Sequence, residues 1–181
     1  MTQKIQDQYI YLGGGCFWCI EASFQNLKGV INVVSGYSGG DAETANYQNI
    51  SSGHTKHAEI CKIQYNQDLI SLDILLEVFF LAHDPTQLNQ QGNDVGPQYR
   101  SIIFYNNIDE KEKIESYIQR LEDQNLYKNI QTEIAPFTKF YEAEKEHQDY
   151  FNLNPNEFYC SFVITPKIQK LKSKLKSYYK N

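Results

Sequence analysis

The sequence has no second cysteine pair to match Cys16-Phe17-Trp18-Cys19, and its four histidines, His54, His57, His83 and His147, are scattered along the chain. A zinc site built from paired ligands is therefore rejected, and no metal is expected. No apolar run approaches the length of a membrane span, and the stretch 1–8 is polar. The expectation is a chain without signal peptide or membrane segment, working in the cytoplasm. Positive charge is also short: a net charge of −5 argues against nucleic acid as the main partner. The exception is the Lys-rich end, 167–180, which reads as a solvated helix ahead of a contact for an anionic partner. With no repeat, low-complexity tract or linker, the 181 residues read as one domain with room for a sizeable core.

Four cysteines, two of them in a Cys-x-x-Cys, look less like a secreted disulfide framework than like redox chemistry in a reducing compartment. Gly13-Gly14-Gly15-Cys16-Phe17-Trp18-Cys19 puts a thiol at a glycine-rich turn between a strand-like Gln8-Tyr9-Ile10-Tyr11-Leu12 and a helical pattern through Ile20, Ser23, Phe24 and Leu27. Free backbone N–H groups and the helix dipole at that position favour thiolate over thiol. Phe17 and Trp18, the latter the sole tryptophan, supply an apolar wall beside it.

Further along, residues 30–34 read as a strand, and 35–40 as a turn or loop because three glycines interrupt it. Residues 58–65 alternate with period two, placing Glu59, Cys61 and Ile63 on one face and Ala58, Ile60 and Lys62 on the other. A helix is expected over 72–83, stopped by Asp84-Pro85, followed by a long irregular loop over 86–100 and a strand over 101–105. An amphipathic helix over 109–126, a short strand over 132–135, a helical turn or more in 141–153, a strand over 161–166 and a basic helix over 167–178 complete the reading. The irregular alternation of strands and helices points to an α+β sandwich rather than a doubly wound parallel sheet.

Several side chains carry two readings. Glu59 is a surface carboxylate or, if its strand is covered, a buried carboxyl whose raised pKa makes it an acid near neutral pH. Asp94, between Gly92 and Gly96, reads locally as a turn residue bonding its own backbone. Cys61 reads as a buried inert thiol, and His83 as a helix stop favoured by the C-terminal dipole. Tyr37, Tyr47 and Tyr99 are three of fourteen tyrosines and do not stand out by composition.

Taken in order, these motifs closely resemble the peptide methionine sulfoxide reductase A family over nearly the whole chain. The resemblance rests on Gly15-Cys16-Phe17-Trp18 with Glu21, Gly36-Tyr37-Ser38-Gly39-Gly40, Tyr47, Gly53 with Thr55, and His57-Ala58-Glu59. It continues through His83-Asp84-Pro85-Thr86, Asn89, Gln91-Gly92-Asn93-Asp94-Val95-Gly96, Gln98-Tyr99-Arg100-Ser101, Ala143-Glu144 and His147-Gln148. It implies a single catalytic domain over residues 1–181: a two-layer α/β sandwich, its mixed sheet carrying a ferredoxin-like core with irregular active-site loops. The implied activity is reduction of methionine-S-sulfoxide, free and in proteins, with no cofactor. Cys16 would be the nucleophile, Phe17 and Trp18 the pocket for the substrate methyl group, and Glu59 the acid on the sulfoxide oxygen. Tyr47 and Tyr99 would donate hydrogen bonds to that oxygen, and Asp94 would position water or polar groups nearby. The sulfenic acid left on Cys16 would condense with a second thiol to a disulfide that thioredoxin reduces. The partners implied are thioredoxin and oxidised proteins, the role is protein repair under oxidative stress, and the chain is expected to be a monomer.

The resolving thiol is open between two candidates. Cys160 matches the place of a recycling cysteine that relatives carry on a glycine-rich mobile tail, but this chain has no glycine after Gly96. Cys19 stands where glycine is often found after the tryptophan, three residues from Cys16, and is expected to resolve ahead of Cys160, with an external thiol third. Lys56, Asn46 and Pro97 also depart from the family pattern, the first two bearing on the orientation of Tyr47 and Glu59. Competing readings are a thioredoxin-like disulfide exchanger using Cys16 and Cys19, and an inactive sulfoxide-binding module.

Overall fold

In the computed structural model, which describes residues 8–181, the chain begins with β1 (Gln8–Gly13), α1 (Phe17–Phe24), β2 (Val30–Ser38), α2 (Tyr47–Ser51), β3 (Ala58–Tyr65) and α3 (Leu72–Ala82). It continues with β4 (Gln90–Gln91), β5 (Asp94–Val95), β6 (Ile102–Tyr105), α4 (Ile108–Asp123), β7 (Glu133–Pro136), β8 (Tyr141–Glu142), α5 (Tyr150–Leu153) and α6 (Thr165–Lys174). The polar start read above lies almost wholly outside the described residues. The main sheet has the order β7-β6-β1-β3-β2-β8, antiparallel except for the parallel β6–β7 pair. Its middle four strands, joined through α1 and α3, form the expected ferredoxin-like core.

Period-two patterning builds the two layers. Ile10 and Leu12 of β1, Cys61 and Ile63 of β3, and Ile103 of β6 face the helices, where they pack with Phe24, Leu75 and Phe79. Tyr11, Ala58, Ile60, Ile102 and Phe104 face the other way and are covered by Phe137 and Phe140, with Phe137 stacked on Tyr11 at 3.8 Å. Each fully buried aromatic or aliphatic side chain contributes about 1.5–3 kcal/mol. Glu59 shares its parity with Cys61 and Ile63, so its carboxyl lies beneath α1. Among the described residues no helix is long and apolar enough to cross a membrane.

Two expectations are corrected. Residues 35–38 are not a loop: β2 runs through them, pairing Gly36 with Ile60 on one side and Glu142 on the other. A Cβ at Gly36 would collide with the Phe140 ring and the Tyr141 carbonyl, so this glycine permits a close backbone approach rather than breaking the strand. Residues 161–166 are not a strand: Cys160–Ile164 form a π-helical turn that runs into α6, with Pro166 in its first turn. Buried Cys160, Ile164, Ile168, Leu171 and Leu175 lie four, four, three and four positions apart, the period of a helix, and this burial overrides the β-branched character of Val163, Ile164 and Thr165. The basic helix accordingly starts at Thr165 and closes at Lys174, before a short turn over Lys176–Tyr178.

Candidate active site

Gly15 has a φ of 88°, a conformation that favours glycine, and its N–H donates to the Tyr99 carbonyl at 3.1 Å. This turn delivers Cys16 as the N-cap of α1, with a φ of −58° and ψ of 130°. Cysteine makes no side-chain cap there, and the N–H of Phe17 is taken instead by Glu59 Oε2 at 3.0 Å. The end of β1 and the start of β3 thus meet at the head of one helix.

Cys16, Phe17, Trp18, Tyr47, Glu59, Asp94, Tyr99 and Tyr159 line one cavity of about 180 Å³. Of the side chains expected at the site from the sequence, all line it except the two resolving candidates, Cys160 and Cys19, the latter with its sulfur 3.6 Å from the hydroxyl of the lining residue Tyr159. Glu59 is only 2% exposed, and burial drives its pKa up to about 8 against the Phe17 N–H, which favours the charged form. Of its two readings, the surface carboxylate is excluded and the buried carboxyl holds. Burial likewise raises Tyr47 and Tyr99, with Glu59 and Cys16 adding to it, so both phenols remain O–H donors.

Cys16 departs from expectation. Burial first, then Glu59 and Cys19, push its thiol well above the usual range, and the Trp18 N–H offsets this only partly. Helix-end stabilisation of the thiolate is opposed chiefly by removal of the sulfur from water.

The loops are fixed by short, local devices. Asn46 caps α2 by accepting from the N–H of Asn49 at 2.9 Å, so the departure at this position sets Tyr47 at the first residue of a capped helix. Pro97 opens the turn Pro97–Tyr99, where its missing N–H costs nothing. Arg100 ties that turn down, donating to the carbonyls of Pro97, His57 and Lys56 and pairing with Glu133 at 3.0 Å. Asp94, read locally as a turn residue, lines the cavity and accepts from the Tyr159 hydroxyl at 2.7 Å.

Three functional contacts were not assigned from the sequence. Tyr159 comes in from the turn before α6, and nothing local distinguishes it from the other tyrosines. Glu144 accepts from the Tyr37 hydroxyl and from the Tyr47 N–H, both at 2.8 Å, and so ties Tyr47 to β2. His147 packs its ring 4.5 Å from Tyr47 and 5.4 Å from Phe17. Glu144 and His147 stood among the motifs of the resemblance, which was the available signal.

Other residues singled out in the sequence lie away from the cavity. Cys61 is fully buried, its sulfur 3.4 Å from the Phe17 carbonyl. His83 caps α3 through Nδ1, 2.7 Å from the Phe79 carbonyl, with Ser101 Oγ 2.7 Å from Nε2. Burial lowers its pKa to about 4, so it acts by hydrogen bonding rather than as a cation on the helix dipole. Cys160 is completely buried in the helical core. The four cysteines are free thiols. Among the described residues no three His, Cys, Asp or Glu side chains gather to hold a metal ion.

Comparison with known proteins places the chain in one family. The sequence profile of the peptide methionine sulfoxide reductase family matches residues 8–179. A peptide methionine sulfoxide reductase MsrA of Psychrobacter cryohalolentis is 47% identical over 171 residues, covering 94% of this chain and 98% of its own. Another, from Nautilia profundicola, is 50% identical over 158 residues, covering 87% and 90%. Among solved structures, Mxr1 from Saccharomyces cerevisiae in reduced form superposes with a TM-score of 0.81 at 30% identity, over 88% of this chain and 92% of that one. A thiol and a neutral carboxyl facing one small aromatic cavity, on a sequence matched over nearly its full length, make this chain a member of the peptide methionine sulfoxide reductase family.

Proposed function

We propose that this methionine sulfoxide reductase acts on the S epimer, free and in proteins, with Cys16 as nucleophile and Glu59 as acid. The observation that carries the reading is the shared cavity of Cys16 and a buried Glu59 whose pKa is raised to about 8. A sulfoxide sulfur is a poor electrophile until its oxygen is protonated or strongly hydrogen-bonded, so thiol attack needs a neutral acid at hand.

Phe17 and Trp18 hold the substrate methyl group, and the sulfoxide oxygen meets Glu59 and the hydroxyls of Tyr47 and Tyr99. As the Cys16 sulfur bonds to the substrate sulfur, Glu59 protonates the oxygen and recovers a proton from the thiol. The hydroxyl passes to Cys16, the sulfur–sulfur bond breaks, and methionine leaves with Cys16 as sulfenic acid. Thiol plus sulfoxide gives sulfenic acid plus thioether, with no net proton. Asp94, held by Tyr159, orders the polar side of the cavity.

A second thiol then displaces water from the sulfenic acid. Cys19 is assigned this step ahead of Cys160 because Cys16 and Cys19 occupy the N-cap and third position of one helix, whereas Cys160 is locked in the core. Thioredoxin reduces the disulfide; Mxr1 has itself been solved in complex with Trx2. The cell biology that fits is repair of oxidised proteins in the cytoplasm by a monomer.

The test is turnover of separated S and R epimers of a methionine sulfoxide substrate with thioredoxin, comparing wild type with Cys16→Ser. Activity on the S epimer alone, abolished by the substitution, is expected. No turnover on either epimer, with insulin disulfides reduced instead, would replace this reading with disulfide exchange by Cys16 and Cys19.

A further inference from the structure

We propose that Glu21 is a positioning residue of the substrate site: through the backbone N–H of Asp149 it holds the Tyr150 ring flat against Trp18. The proposal rests on Trp18 being the wall for the substrate methyl group, and goes beyond it in naming what sets that wall.

Glu21 lies on α1, three positions after Trp18, and is 3% exposed. Among the described residues no ion pair involves it. An unpaired carboxylate at that depth would be costly as a charge. Burial indeed raises its pKa to about 7, opposed by the N–H groups of Asp149 and Tyr150. What the structure shows it doing is accepting a backbone N–H. Oε1 accepts from the Asp149 N–H at 3.0 Å, while Oε2 makes no hydrogen bond.

The residue so held is unusual. Asp149 has a φ of 52°, left-handed and not glycine, a conformation that persists only when its surroundings impose it. Tyr150 follows directly and stacks on Trp18 with ring centres 3.7 Å apart and planes 5° from parallel. His147 lies 5.8 Å from the indole. Just before Asp149, Gln148 clamps to both the N–H and the carbonyl of Ser35 in β2 and to the Ala143 carbonyl. The segment 143–150 is thus moored to the sheet by Gln148 and to α1 by Glu21. Trp18 hangs from α1 directly and Tyr150 through Glu21, so one turn of helix sets the spacing of the stack and the plane of the indole that faces the cavity.

The experiment uses the emission of Trp18, the sole tryptophan, alongside steady-state kinetics on a methionine-S-sulfoxide peptide, for Glu21→Ala, Glu21→Gln and Tyr150→Ala. Glu21→Ala is expected to change Trp18 emission and to raise KM about tenfold, the size of one lost positioning hydrogen bond, with kcat changed less. Glu21→Gln keeps an acceptor oxygen for Asp149 and should restore both readouts to within about twofold of wild type. Tyr150→Ala should reproduce Glu21→Ala, and the double variant should be no worse than either. Wild-type emission and KM in Glu21→Ala would overturn the proposal, as would a Glu21→Gln as damaged as Glu21→Ala. Should Glu21→Ala fail to fold, unchanged emission and KM in Tyr150→Ala would still overturn it. Absence of sulfoxide turnover in the wild type would instead remove the underlying reading, while the emission arm went on reporting the stack.

Discussion

The N–H of Phe17 donates to Glu59 Oε2 at 3.0 Å across 42 positions of sequence, so the residue after Cys16 and the buried carboxyl are hydrogen-bonded to each other. The bond fixes the approach of α1 to β3 and consumes one of the helix's free N–H groups. The second carboxyl oxygen of Glu59 takes no part in this bond.

Replacing this acid separates chemistry from folding. Glu59→Gln keeps an oxygen for the Phe17 N–H but cannot give up a proton, so kcat/KM should fall about 100-fold or more. Stability should shift the other way. The folded pKa of about 8 lies above the ordinary 4.5, so the folded state keeps a proton that the unfolded chain loses. The stabilisation is complete below pH 4.5 and declines as pH rises to about 8, by at most about 1.4 kcal/mol per unit. Denaturant unfolding at intervals from pH 5 to 8 should show a shallower decline for Glu59→Gln than for wild type; equal slopes would mean that Glu59 is not the buried acid described.

Tyr159→Phe removes the O–H that donates to Asp94, and with it the contact to Cys19. A hydrogen bond to a carboxylate is worth about 1.5–3 kcal/mol, so kcat/KM should drop about tenfold or more without loss of the fold. Activity within about twofold of wild type would remove Tyr159 from the working site.

Peptide mapping of the enzyme after one turnover without reductant should find Cys16 linked to Cys19. A Cys16–Cys160 linkage would reverse the order of the two thiols. It would require the π-helical turn Cys160–Ile164 to unwind, and with it the adjacent Tyr159 to leave Asp94.

Gly36→Ala should destabilise the fold by about 1–3 kcal/mol, because its Cβ meets Phe140 and the backbone of the strand entry at Tyr141. Thermal or denaturant unfolding checks this. Activity should fall alongside, since β8 leads directly into the segment bearing Glu144 and His147; unchanged stability would show that Phe140 yields freely.

Features whose causes are local were legible in the sequence. The alternation in β3 gave both its faces, and with them the side of the sheet on which Glu59 lies. The glycine turn before Cys16 gave the helix start. What could not be read locally had distant causes. Gly36 serves the ring of Phe140, and Tyr159 becomes part of the site only when α6 packs beside α1. The stretch after Cys160 misled because composition favoured a strand while the burial period, visible only out to Leu175, is that of a helix. The setting of Cys16 was half legible for a related reason: the helix end is evident in the sequence, but the burial that pushes its thiol up is a property of the whole fold.

All four thiols are buried, and burial pushes that of Cys16 up. Peroxides and alkylating agents react with accessible thiolates, so this sulfur is expected to meet them slowly. A sulfoxide entering the cavity would bring its own oxygen to the buried carboxyl of Glu59. Selectivity would then lie in the shape of the resting site rather than in a standing charge on sulfur.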